Sequence, residues 1–228
     1  MNVLHEWPSW LLWIFFLAEN ALIVLIVLVW GNILLRRSRK EIFNYSRQQW
    51  RVCLLTTLLN ALVTFTGFLL WKHGYIRINA AVSWRILTDA LAYFLAMDLL
   101  MYGFHYIIHK TFLYRPLHRL HHEATDPVPI DLFVLHPLET ISFGALLLII
   151  LLPFNSNIYG LLIYHIANVI FGMTGHLGVE PMPENIRQWP LMKYLGTSTF
   201  HHDHHRHEDY NFGFYTTIWD RLFGTLKR

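Results

Sequence analysis

Residues 86–109 read ILTDALAYFLAMDLLMYGFHYIIH, an apolar run that closes on two histidines, His105 and His109. As a helix, a run of this length crosses a hydrocarbon layer of about 30 Å. Asp89 and Asp98 lie inside it, and the two imidazoles at its end stand four residues apart. That spacing puts both rings on one helical face. Carboxylates within a span and imidazoles at its mouth are costly beside lipid and mark a functional place. A helical membrane protein with its chemistry at one membrane face follows.

Comparable apolar runs flank this one. Trp10 to Leu35 is interrupted only by Glu19, Asn20 and Asn32, and a second run extends from about Cys53 to Trp71. Two more, about Leu138 to Leu152 and Ile158 to Gly175, are separated by Pro153-Phe154-Asn155-Ser156-Asn157. Each of that pair is short for a full span, so two crossings or a re-entrant hairpin are both open. The composition of the 228 residues, 54% hydrophobic and 14% charged, excludes an ordinary soluble globule, as does the mean hydropathy of +0.34. Nine Trp, eleven Tyr and sixteen Phe suit side chains at the headgroup level. The single Cys53 forbids an internal disulfide and reads as a small buried hydrophobe. Met1 to Trp10 lack the basic start of a cleavable signal peptide, so the first apolar segment is expected to stay in place.

Strand signals are weak throughout. The expected fold is all-α: a polytopic membrane bundle of about four transmembrane helices or hairpin equivalents, with a histidine-rich helical cap. Residues 1–228 are expected to form a single membrane-embedded domain, with anchor helices in 1–85 and the catalytic region in 95–228. Residues 36–52 carry Arg36, Arg37, Arg39, Lys40, Arg47 and Arg51 against one acid, Glu41. Such a loop belongs in the cytoplasm. The loop with Lys72, Arg77 and Arg85 then faces outward, and Lys110 to Arg119 and residues 176–228 return to the cytoplasmic side. With a formal charge of +3 and its basic residues in loops, the chain has no nucleic-acid footprint.

Two further clusters join the first: His118, His121 and His122, then His201, His204 and His205, each a His-x-x-His-His. Offsets of zero, three and four again give one helical face. Eight imidazoles exceed the four ligands of one tetrahedral ion and suit two metal ions held between three helices. Imidazole accepts zinc, copper, iron and nickel alike, so spacing does not choose the metal. A ligating imidazole usually donates its other N–H to a carboxylate or carbonyl. Asp98, Glu123, Glu139, Asp203 and Asp220 are the carboxylate candidates for that supporting role. Interfacial charges and helix caps are the plainer readings of each. His5, His73, His202 and His207 fall outside the repeated spacing, and His165 is expected as a hydrogen-bonded core histidine.

Phe104-His105-Tyr106-Ile107-Ile108-His109, Leu113-Tyr114-Arg115-Pro116-Leu117-His118-Arg119-Leu120-His121-His122-Glu123 and His136-Pro137-Leu138-Glu139 resemble the fatty acid hydroxylase superfamily, in its sterol desaturase branch. Phe200 to His205, Asn211-Phe212-Gly213 and Trp219-Asp220-Arg221-Leu222-Phe223-Gly224-Thr225 resemble that family's C-terminal signature. The likeness covers roughly residues 95–228. Tyr106 stands where the family often has Arg.

The resemblance implies a membrane-bound oxygenase or desaturase with two Fe ions, zinc being a possible substitute in purified protein. O2 is the co-substrate and the target is an unactivated C–H bond of a lipid. It carries the metal-ligand role onto His105, His109, His118, His121, His122, His201, His204 and His205. It adds His176 of Gly175-His176-Leu177-Gly178, and His136 as a ligand or supporting residue. Electrons are expected from an external ferredoxin- or cytochrome-type donor with a reductase, docked on Arg36 to Arg51 and Lys227-Arg228. Those same charges can instead grip anionic lipid headgroups. The expected location is a bacterial inner membrane, with the active site on the cytoplasmic face. The rivals are a histidine-rich metal transporter and a zinc-dependent membrane hydrolase. Neither the lipid nor the choice of hydroxylation or desaturation is legible.

Overall fold

The computed structural model describes residues 5–39 and 44–227. Lys40 and Glu41 of the basic loop, Met1 to Leu4 and Arg228 lie outside the described residues. Helix α1 runs Ser9–Arg39, α2 Arg47–Lys72 and α3 Arg85–Lys110. A π-turn, Tyr114–His118, leads into the short α4, Arg119–His122. A 3₁₀ turn, Pro129–Phe133, precedes α5, Pro137–Leu151, and α6, Ile158–Gly175. The tail holds α7, Glu184–Arg187, then α8, Ser198–Arg206, and α9, Ile218–Phe223.

Four helices, α1, α2, α3 and α6, are long and apolar enough to cross a membrane, and α5 is a shorter apolar helix. The protein is thus a multi-pass membrane bundle. Exposed Ile14, Leu22, Leu25 and Trp30 on α1, and Leu54, Leu58 and Leu62 on α2, form its lipid-facing side. Helix α2 begins at a capping box, in which Ser46 accepts from the Gln49 amide and Gln49 accepts from the Ser46 amide.

A two-stranded parallel sheet, absent from the sequence reading, decides the course of the α5–α6 pair. Strand β1, Arg77–Asn79, lies between α2 and α3, and β2, Asn155–Asn157, lies between α5 and α6. They pair in the register Arg77↔Asn155, Ile78↔Ser156, Asn79↔Asn157. Asn157 adds side-chain bonds to Asn79 Oδ1 and to the Ala81 carbonyl. The α5–α6 hairpin therefore reaches the same far end of the bundle as the α2–α3 hairpin. The backbone needs only three residues on each side for this pairing, too few for an alternating pattern to show.

Helix α3 packs chiefly on α6, and α2 packs on α1 first and then on α5. Small residues permit the closest approaches. A Cβ on Gly160 of α6 would lie 2.7 Å from the Ile86 carbonyl of α3. A Cβ on Gly144 of α5 would lie 2.6 Å from a Val63 methyl of α2. At the opposite end, Gln49 Nε2 donates to Asp131 Oδ1 at 2.9 Å, joining the basic start of α2 to the 3₁₀ turn. That is the end at which the histidines gather.

Candidate metal centre

Helix α3 delivers His105 and His109 on adjacent turns, with ring centroids 4.8 Å apart. The second cluster does not form one helical face. His118 closes the π-turn, and only His121 and His122 lie in α4. Single π-turns are frequent at functional sites. Neighbouring residues on a helix diverge by about 100°, so His121 and His122 aim at different targets.

The outcome is two nests of imidazole rather than one ring of eight. His105, His109, His118, His122 and His204 bring one ligand nitrogen each within 4.8 Å of one another. His121, His176, His201 and His205 do the same in a second group. Each His-x-x-His-His splits alike: its first and last residues share one nest, and the middle one crosses to the other. The nests adjoin, since the His122 and His205 rings stack at 4.7 Å and those of His118 and His121 at 5.3 Å.

Nε2 atoms converge inside each nest. His118 Nε2 lies 2.9 Å from His105 Nε2 and 3.1 Å from His122 Nε2. His121–His176 and His201–His205 bring Nε2 atoms to 3.3 and 3.2 Å. Two nitrogens each about 2.1 Å from one cation, at right angles, would stand about 3 Å apart. His109 Nε2 and His204 Nε2 are buried with no hydrogen-bond partner among the described residues. Orphaned buried acceptors are expensive unless something fills their lone pairs. Neutral nitrogen donors, with spacing and orphan atoms of this kind, fit two transition-metal ions.

Four of the outward-facing nitrogens are held, while His122, His201 and His205 Nδ1 are buried with no hydrogen-bond partner among the described residues. His105 Nδ1 donates to the Phe212 carbonyl at 2.8 Å, His204 Nδ1 to the Tyr210 carbonyl at 2.6 Å, and His176 Nδ1 to the Gly172 carbonyl at 2.8 Å. His118 Nδ1 donates to Glu139 Oε1 at 2.6 Å, both side chains being buried. These bonds fix the tautomer that leaves Nε2 free to ligate. Outside the spans, burial and neighbouring imidazoles drive His118, His121, His122, His201, His204 and His205 well below the usual imidazole range. The rings are held neutral, as metal binding requires.

The carboxylates divide. Glu139 alone of the five candidates hydrogen-bonds a nest histidine. Asp98 instead accepts from the amides of Tyr215 and Thr216, the Thr216 hydroxyl and Trp219 Nε1, tying the tail to α3. Asp203 pairs with Lys227 Nζ at 2.9 Å, and Glu123 is exposed. His136 is corrected as well. Pro137 occupies the first turn of α5, and His136 caps that helix, its Nδ1 accepting from the Leu138 amide at 3.3 Å. Its ring is in neither nest.

Side-chain spacing gave no sign of the carbonyls that orient the rings. Asp220 builds the loop that presents two of them, accepting from the Phe212 and Gly213 amides at 2.8 and 2.7 Å. Asn211 takes φ +59°, which Asn tolerates better than most residues. A Cβ on Gly213 would collide with the Thr216 carbonyl. The strongest sequence sign of this loop was the tail signature itself.

The family model for fatty acid hydroxylase matches residues 90–225, more than half of the chain. Human lathosterol oxidase is 26% identical over 175 residues, 73% of this chain and 56% of its own. Chicken methylsterol monooxygenase 1 is 28% identical over 151 residues, 66% of this chain and 47% of its own. Rat cholesterol 25-hydroxylase is 28% identical over 204 residues, 87% of this chain and 68% of its own. The chain thus spans about half the length of the first two. No solved structure matches it.

Proposed function

The chain belongs to the fatty acid hydroxylase family, and from that premise we propose that it is a membrane-bound di-iron oxygenase that hydroxylates or desaturates a lipid. The observation that carries this reading is a shared wall. A cavity of about 260 Å³ is lined by His105, His118, His121, His176 and His201 at one end. It continues between the spanning helices past Met101, Phe143, Val169 and Leu147. An alkyl chain or ring system lying there would reach the nests directly from the bilayer.

His105, His109, His118, His122 and His204 would hold one iron, and His121, His176, His201 and His205 the other. Iron bound there would supply dioxygen activation, which no side chain can provide. The chain's own contribution is to orient the imidazoles, exclude water with the apolar wall and position the C–H bond. Glu139, buried between His118 and the cavity, keeps a negative charge or a proton within reach of the first nest. An external electron donor would dock on the cap, where Arg115, Arg119 and Arg206 are exposed and attract an acidic partner. The relatives' names mention sterols, and the largely apolar wall suits part of a sterol-like or other extended lipid. Histidines gathered at one end of the bundle favour an enzyme over a transporter, whose ligands would line a path.

The test uses protein in nanodiscs, reconstituted with Fe²⁺, a chemical reductant and extracted membrane lipids, incubated under air or nitrogen. A lipid heavier by one oxygen or lighter by two hydrogens is expected only under air. H204A and H121A, one from each nest, should each lose iron and turnover. Equal product under nitrogen, or full turnover by H204A, overturns the reading.

A further inference from the structure

His165 sits on α6 inside the membrane-spanning region, and its Nε2 is buried with no hydrogen-bond partner among the described residues. An ionisable side chain at that depth without a partner is costly and marks a binding place. It also lines the cavity that ends at the nests. Along α6, His165, Val169, Gly172 and His176 recur at offsets of four, seven and eleven, and all four line that cavity. They form one stripe, with a metal-nest histidine at one end and an unpaired imidazole at the other. At about 1.5 Å per residue the two ends are roughly 16 Å apart.

Helix α2 adds polar groups to the same cavity. Asn60 and Thr64 of α2 line the cavity one turn apart, and Asn20 of α1 donates to Thr64 Oγ1 at 3.3 Å. Between these groups and the nests the walls are largely apolar. The cavity therefore has a polar far end, where Thr64 and Asn20 are bonded within the fold and His165 Nε2 is a ring nitrogen that neither the fold nor the metal centre uses.

We infer that His165, with Asn60 opposite, anchors a hydroxyl or carbonyl oxygen of the lipid substrate. The substrate class is then an elongated lipid whose one polar oxygen lies remote from the attacked carbon, by roughly 10–15 Å along the α6 stripe. Such a lipid lies with its polar end deep in the bundle and its apolar end at the nests. The inference rests on the oxygenase reading for the identity of the reaction, but the anchor is measured by binding alone.

The probes are two matched pairs, cholestanol with cholestane and octadecanol with octadecane, bound to iron-loaded protein in nanodiscs. The unaltered protein should prefer the oxygenated member of at least one pair by about tenfold, the scale of one desolvated hydrogen bond. H165L should cut that preference to less than about threefold while iron content holds, and H165Q, which keeps a donor and an acceptor, should restore most of it. N60L, on the opposite wall, should reduce the same preference independently. An undiminished preference in H165L and N60L overturns the anchor. So does iron loss in H165L, or an unaltered protein that favours neither oxygenated lipid. A preference abolished by H165L without any air-dependent product removes the oxygenase reading and leaves the anchor; product with an unaffected preference does the reverse.

Discussion

Glu139 shows how one side chain can serve packing, tautomer and charge together. It is wholly buried, one oxygen receives the His118 N–H, and the other has no partner among the described residues. A neutral amide of the same shape would keep a hydrogen bond to His118 but could not become the carboxylate that, beside a bound cation, would strengthen its Nε2 as a ligand. E139Q should therefore fold normally and bind metal about 10–100-fold more weakly, the usual cost of losing such support. Metal retained against a graded chelator, read by mass spectrometry, measures this; retention equal to the unaltered protein would make Glu139 a packing residue. At this scale much was legible in the sequence. The eight box histidines stood out by their spacing, and the structure gathers all eight into the two nests, although the three-residue offsets part company there. His136, expected as a ligand or supporting residue, joins neither nest, because a histidine before Pro can cap a helix as readily as it can ligate. His165 was read as a satisfied core residue because a cavity lined from seven separate helices has no local pattern.

The helices themselves were almost entirely written in hydrophobicity, and α6 has the bounds read from the sequence. What could not be read was how two of them touch. Gly160 supplies that contact: a Cβ there would meet backbone oxygen of Ile86 at 2.7 Å and Asp89 Cβ at 3.1 Å. Backbone cannot swing aside as a long side chain can, so α3 and α6 would have to separate. G160A should cost about 1–3 kcal/mol, a fall of roughly 2–10 °C in Tm for protein in detergent. Because α3 carries His105 and His109 while α6 ends at His176, the shift should also loosen metal binding. Thermal unfolding with and without Fe²⁺ tests both parts, and an unchanged Tm would show that the interface absorbs a methyl. The split of each His-x-x-His-His between two nests also belongs to this scale. Angular divergence along a helix is predictable, but which nest lies in which direction depends on where α3, α4, α6 and α8 meet.

For the whole molecule, the basic loop and the metal centre share one end of the bundle. The Gln49–Asp131 bond ties the start of α2 to the turn beside the nests. Arg36, Arg37, Arg47 and Arg51 flank that end on α1 and α2, and Lys110, Arg115 and Arg119 flank it after α3. The opposite end carries β1 and β2, with exposed Tyr75, Val82 and Trp84 suited to a headgroup layer. Lys and Arg in short loops favour the cytoplasmic side, so the centre should open towards the cytoplasm and its reductants. Native Cys53 is buried, which leaves single introduced cysteines as clean reporters. Thr111 lies exposed beside the nests and Ser83 exposed at the far end. In sealed cells a membrane-impermeant maleimide should label S83C and spare T111C, and inverted vesicles should reverse the pattern. Labelling of T111C from outside would turn the bundle over, place the nests away from cytoplasmic electron carriers, and require a donor on the other side of the membrane.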